Sequence, residues 1–217
     1  IMAYTTINKS TDNFNTKLYT GNGGTQAVTG VGFQPDWCWI KNREASESHV
    51  LFDVIRGVQK SINSNSNAVE ATSANYLTAF GADGFTVGAS GLVNDNNNDY
   101  VSWNWKAGTS FTNDASVTGI GTIDSTGTVN DAAGFSIVKY TGGSGAGTVK
   151  HGLSTKPELI LLKPYNYADN WRIYHHKMDS TAPQDYFLKL QSYDARGNSN
   201  DVWNDTAPTS SVFSIGS

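Results

Sequence analysis

A chain of 217 residues is long enough for one large or two small hydrophobic cores. Only 16% of it is charged and the net charge is −4, which gives no electrostatic case for binding nucleic acid or anionic membranes. No run of about 18 apolar residues occurs, so no transmembrane helix and no membrane insertion is encoded, and one cysteine excludes an internal disulfide.

In chain order, the opening IMAYTTINKS lacks a charged region followed by an apolar one, so no signal peptide is expected. Residues 2–16 are polar and suit an arm or a first edge strand, and 16–19 open a short strand. Gly21-Asn22-Gly23-Gly24 is a turn, since glycine takes positive φ without steric cost. It does not match a dinucleotide fingerprint, because no helical pattern follows. Residues 36–41, bounded by Pro35 and Asn42-Arg43, form an apolar run that predicts a central strand buried on both faces. Trp37 and Trp39 would then fill a core, with Cys38 between them as a small buried hydrophobe and no histidine nearby to activate it.

A strand over 50–55 comes next, then a strand and an irregular excursion over 60–75, with a weakly patterned short helix considered at 69–76. Asp83-Gly84 is a turn signal ahead of a strand at Phe85–Val87. The segment YVSWNWK at 100–106 alternates with period two, the mark of a strand with one buried face; core packing is the ordinary place for Trp103 and Trp105. Residues 108–133, rich in Gly, Thr, Ser and Asp, are expected as a linker.

The second half restates the first. YTGNGGTQAVTGVGFQPDWCWIK at 19–41 returns as YTGGSGAGTVKHGLSTKPELILLK at 140–163. Pro35 and Pro157 are 122 residues apart, as are Lys41 and Lys163, and Leu51-Phe52 falls on Ile173-Tyr174. Phe85-Thr86-Val87-Gly88 matches Phe213-Ser214-Ile215-Gly216. A period of this length marks a module written twice. The expected fold is therefore all-β: two tandem antiparallel β-sandwich, jelly-roll-like modules. The first spans 1–107 with an N-terminal arm, the linker 108–133, and the second 134–217. The second ends at the equivalent of Gly88 and lacks a counterpart of the 100–106 strand. Either the chain is a fragment or a neighbouring subunit supplies that strand.

Few residues carry chemistry. Asp95, Asn97 and Asp99 have the alternating oxygen spacing that opens calcium loops, but the glycine and distal glutamate of an EF-hand are missing, and a solvated hairpin tip explains the same letters. His49, His151, His175 and His176 show no metal-ligand spacing, and an adjacent pair on a strand points to opposite faces. No carboxylate pair suggests a glycosidase. Tyr165, Tyr167, Trp171 and Tyr193 lie in loop-like segments and are the candidates for surface or glycan contact, because sugar faces stack on flat aromatic rings.

The stretches YTTINKSTDNFNTKLYTGNG, GVGFQPDWCWIKNR, YVSWNWKAG, GFSIVKYTG, HGLSTKP and VWNDTAPTSSVFSIG, taken together, resemble a repeated domain of uncharacterised function in virion structural proteins of marine tailed bacteriophages. The resemblance covers nearly the whole chain. It implies a non-enzymatic tail fibre, appendage or capsid decoration protein, made in the host cytoplasm without a signal peptide and carried on the virion. It also implies contacts with other virion proteins, further copies of the chain or a host-surface glycan, and it brings no catalytic residue or cofactor. The competing expectations are a carbohydrate-binding, lectin-like adhesion module and, with an export signal, a bacterial surface adhesin.

Overall fold

The computed structural model describes Ile7 and residues 9–217. It is all-β, built from several antiparallel sheets, and divides into two compact units at Gly108/Thr109.

In the first unit, β1 (Phe14–Thr20), β2 (Gln26–Thr29), β3 (Trp37–Asn42), β4 (Val50–Asp53), β5 (Lys60–Asn63) and β6 (Ala71–Thr72) are followed by β7 (Leu77–Gly81), β8 (Gly84–Val87), the single-turn α1 (Gly91–Asn94) and β9 (Asp99–Trp105). One sheet has the order β1-β9-β3-β4-β5-β6 and a second the order β2-β8-β7. The core draws on both: Cys38, Ile40, Val50, Phe52 and Tyr100 from the first, Val28, Leu77, Phe85 and Val87 from the second, with Val93 of α1. The β7–β8 hairpin turns at Ala82-Asp83, one residue before the expected dipeptide, with Gly84 at φ 148 where a Cβ would stand 2.0 Å from the Val28 carbonyl oxygen. No helix forms over 69–76; the short β6 lies there instead.

In the second unit, β10 (Thr109–Asn113), the single-turn α2 (Ala115–Thr118) and β11 (Ser125–Asn130) occupy the stretch expected as a linker. Next come β12 (Phe135–Tyr140), β13 (Gly147–Lys150), β14 (Leu159–Leu162), β15 (Arg172–His175), β16 (Tyr186–Phe187), β17 (Gly197–Asn198), α3 (Asn200–Trp203) and β18 (Val212–Ile215). The pairings are β10-β11-β12, β13-β18, β14-β15 and β16-β17. Val149, Tyr174, Val202, Trp203, Phe213 and Ile215 form its core, with Tyr140, Ile160 and Leu162 packed against it and half-buried.

Strand β3 is central in its sheet but is not buried on both faces. Its side chains alternate, with Cys38, Ile40 and Asn42 buried and Trp37, Trp39 and Lys41 half-buried. In β9 the period-two expectation holds and the face is reversed. Tyr100, Ser102 and Asn104 point into the core, and Val101, Trp103 and Trp105 do not. Polar residues can occupy that inner face because their hydrogen bonds are made locally. Ser102 Oγ donates to the Lys17 carbonyl (3.4 Å), and Asn104 Nδ2 donates to the Asn15 carbonyl (3.2 Å) and to Ser102 Oγ (3.0 Å). The Tyr100 hydroxyl donates to the Gly91 carbonyl (2.6 Å) and accepts from the Asp95 amide (2.7 Å).

Candidate functional site

The outward face of the β1-β9-β3 segment carries the largest aromatic assembly in the first unit. Strand alternation dictates its members. Register places Trp37 opposite Trp105 and Trp39 opposite Trp103, while on the other flank of β9 Phe14 faces Trp105 and Leu18 faces Val101. The rings meet in tilted and edge contacts: Phe14 to Trp105 at 4.7 Å, Trp37 to Trp105 at 4.6 Å, Trp37 to Trp39 and Trp39 to Trp103 at 6.1 Å. Each such pair is worth roughly 0.5–1.5 kcal/mol beyond its area. The face is thus stiff as well as apolar. Towards the edge strand it opens to solvent, with Leu18 59% exposed.

On the same side of the sheet, beside Trp37 at the end of β4, lies an ionic cluster that sequence reasoning missed. Arg56 Nε donates to Asp53 Oδ2 (2.5 Å) and Arg56 Nη1 to Glu70 (3.2 Å), with the Arg56 and Asp53 side chains only 7% exposed. The remaining guanidinium hydrogens go to the Lys60 and Leu51 carbonyls, and Asp53 Oδ1 accepts the Ile55 and Arg56 amides. Every member is paired, so the cluster pins the β4–β5 connection. The i,i+3 spacing of Asp53 and Arg56 was the available signal; Glu70 had none.

The aromatic candidates of the second unit occupy different environments. Tyr193 is fully exposed and Tyr167 is 58% exposed, while Tyr165 is half-buried with the Lys139 ammonium 5.2 Å from its ring centre. Trp171 is buried, its amide donating to Gln191 Oε1 (3.2 Å).

The oxygens of the candidate calcium loop serve the turn itself. Asp95 accepts the Asn96 amide (3.0 Å) and Asn98 Nδ2 (3.3 Å), and Asp99 Oδ1 accepts the Thr20 hydroxyl (2.8 Å). Asn97 stands at φ 64, its amide donating to the Gly21 carbonyl (2.9 Å). Among the described residues no three His, Cys, Asp or Glu lie close enough together to hold a metal ion. Burial, then the charges of Asp36 and Asp53, push the Cys38 thiol well above its usual range, away from nucleophilic reactivity. His175 and His176 do not diverge: their rings meet edge to face at 5.0 Å, because β15 ends at His175 and the chain turns.

A family model described as a domain of unknown function, DUF7483, matches residues 9–217, and the chain belongs to that family. No curated protein and no solved structure matches it.

Proposed function

We propose that this DUF7483 chain is a non-enzymatic structural protein of a bacteriophage virion, a tail fibre or appendage or a capsid decoration subunit, made of two tandem jelly-roll-like β-sandwich modules. The two-copy reading is supported by hydrogen bonds that recur between 122 and 128 residues further along the chain. The Val54 amide donates to the Asp36 carbonyl and, 122 residues on in both partners, the His176 amide donates to the Glu158 carbonyl. Ser73 N–H to Gln59 O recurs as Ser199 N–H to Asp185 O, and Gly88 N–H to Tyr76 O as Gly216 N–H to Val202 O. The β3–β4 register recurs in β14–β15 with the same offset, and β2–β8 pairing recurs as β13–β18.

The observation that carries the functional reading is the outward face of β1-β9-β3. A rigid sheet surface ending in exposed Leu18 and Phe14 on an edge strand suits a permanent contact with another virion protein or a second copy. Light scattering on the purified chain, with and without a chelator, tests this. A trimer or larger assembly is expected, and labelling of purified particles by an antibody to the chain places it on the virion. A stable monomer absent from particles overturns the reading.

A glycan-binding, lectin-like role is the second reading. The exposed rings of Tyr167 and Tyr193 support it. A glycan array with wild-type chain and with Tyr193→Ala separates it from the first: binding lost in the variant supports it, and a blank array removes it.

A further inference from the structure

In the first unit β9 lies between β1 and β3, antiparallel to both. It is the strand that ties the sheet together. In the second unit the counterparts of β1 and β3 are β12 and β14, and no described strand joins them: β12 pairs with β11, and β14 pairs with β15 alone. Nor does β11 stand in for β9. The chain entering it runs along β13, with the Thr122 and Ile123 amides donating to the Thr148 carbonyl and Ile123 bridging Val149. So β11 is held to β12 along its length and to β13 through the residues just before it, and no pairing of β11 with β14 is described.

The phase of the backbone says what the gap presents. In β3, the bond from the Arg43 amide to the Asp99 carbonyl turns the backbone groups of Trp37, Trp39 and Lys41 towards β9, while Cys38 and Ile40 pair with β4. The His176–Glu158 bond fixes the same phase in β14. Ile160 and Leu162 therefore pair with β15, and Leu159 and Leu161 direct their N–H and C=O groups towards the gap. Burial agrees independently. Cys38 and Ile40, flanked by β9, are fully buried, whereas Ile160 and Leu162 are half-buried and Leu159 is 54% exposed.

We propose that the gap between β12 and β14 is a strand-acceptor site. Its occupant is an extended polypeptide segment built like β9, with tyrosine and small polar residues facing inward and bulky aromatic residues facing out. It lies antiparallel to β14 and takes its main-chain hydrogen bonds from Leu159 and Leu161, the β-augmentation mode of recognition. Specificity comes from the inward positions, which must fit over Val138, Tyr140, Ile160 and Leu162. This inference rests on the two-copy reading above and deepens it by naming the partner's chemistry.

The test uses the whole chain with a copy of its own residues 90–106 appended after Ser217, so that the added strand follows Gly216 at the spacing at which it follows Gly88. Appending the strand makes its effective concentration high, so failure to dock is informative. Amide hydrogen exchange is read residue by residue. Docking is expected to slow exchange at Leu159 and Leu161 by about tenfold or more relative to the unextended chain. A composition-matched scrambled extension should not. Leu161→Pro removes a gap-facing N–H without taking a donor from the β15 ladder, and should reduce the gain at Leu159. Unchanged exchange at both leucines, or equal protection by the scrambled extension, overturns the proposal. Light scattering reports self-assembly and these two amides report the gap, so either reading can fail without the other.

Discussion

The two units share the register of one antiparallel pair, β3–β4 in the first and β14–β15 in the second, and differ in what flanks it. In the first, β9 joins β1 to β3, and Cys38 and Ile40 disappear from solvent; in the second, Ile160 and Leu162 at the same places remain half-buried. A second difference lies at the β4 end. Asp53 and Arg56 form a buried ionic cluster with Glu70, whereas the positions 122 residues later are His175 and Met178. Among the described residues, the register common to β3–β4 and β14–β15 thus occurs both with a flanking β9 and a buried ionic pin and without them.

Breaking the polar pin gives the largest expected effect. Arg56→Ala leaves Asp53 and Glu70 buried without their cation and should cost the first unit about 3–5 kcal/mol. Denaturant unfolding followed by fluorescence should show this loss in the transition of the unit holding Trp37, Trp39, Trp103 and Trp105, with the second unit unaffected. Equal destabilisation of both transitions would mean that the units do not unfold separately.

A paired substitution sharpens the shared part of the comparison. A Cβ on Gly88 would stand 2.7 Å from the Asn75 Cα, and one on Gly216 would stand 2.2 Å from the Asn200 carbonyl oxygen. Both neighbours are backbone, so neither can turn aside. Gly88→Ala and Gly216→Ala should each cost roughly 2 kcal/mol in their own unit. A silent Gly216→Ala would show that the second unit does not depend on the close approach.

Phenylalanine at Tyr100 probes the polar inner face of β9. Removing the hydroxyl strips the Gly91 carbonyl of its donor and the Asp95 amide of its acceptor, and should cost about 1–3 kcal/mol in the first unit. Midpoints of the same unfolding curves measure it. An unchanged midpoint would mean that water replaces the hydroxyl at little cost.

Much of this was legible in the sequence. Gly30 and Gly152, 122 residues apart, both stand at positive φ (81 and 83), and Lys41 and Lys163 both donate through Nζ to the carbonyl of the following residue. What misled was the equation of apolar with inward. Trp103 and Trp105 look like core and Ser102 and Asn104 like surface, yet hydrogen bonds to Lys17 and Asn15 on the neighbouring strand let the polar pair go in. A hydropathy pattern records the period of a strand; it does not record cross-strand partners. The strands within 109–130 were hidden for a related reason, since Gly, Thr and Ser there pair through the main chain and leave little apolar signal.

The smallest expected effect separates the units by pH. His151 is buried in the second unit, its Nδ1 accepting the Leu153 amide (3.2 Å) and its Nε2 facing the Thr209 carbonyl (3.2 Å), which fits a neutral ring carrying its proton on Nε2. Burial pulls its pKa below the ordinary 6.5, and the Thr209 carbonyl only partly opposes that. Above about pH 6.5 the ring is neutral in both folded and unfolded chains and contributes no pH dependence. Below it the unfolded chain takes up a proton that the folded chain refuses, so stability falls with pH, by at most about 1.4 kcal/mol per unit, until the folded pKa is reached. His49 of the first unit is also lowered, by burial and then by Lys41, but it is only partly buried, so its share should be smaller. Unfolding midpoints at about pH 7.5 and about pH 5.5 should therefore diverge more for the second unit. His151→Gln, which keeps an amide near Thr209 and cannot titrate, should remove that excess. If the variant's second unit still weakens as much as the wild type's, His151 is not the source of the excess.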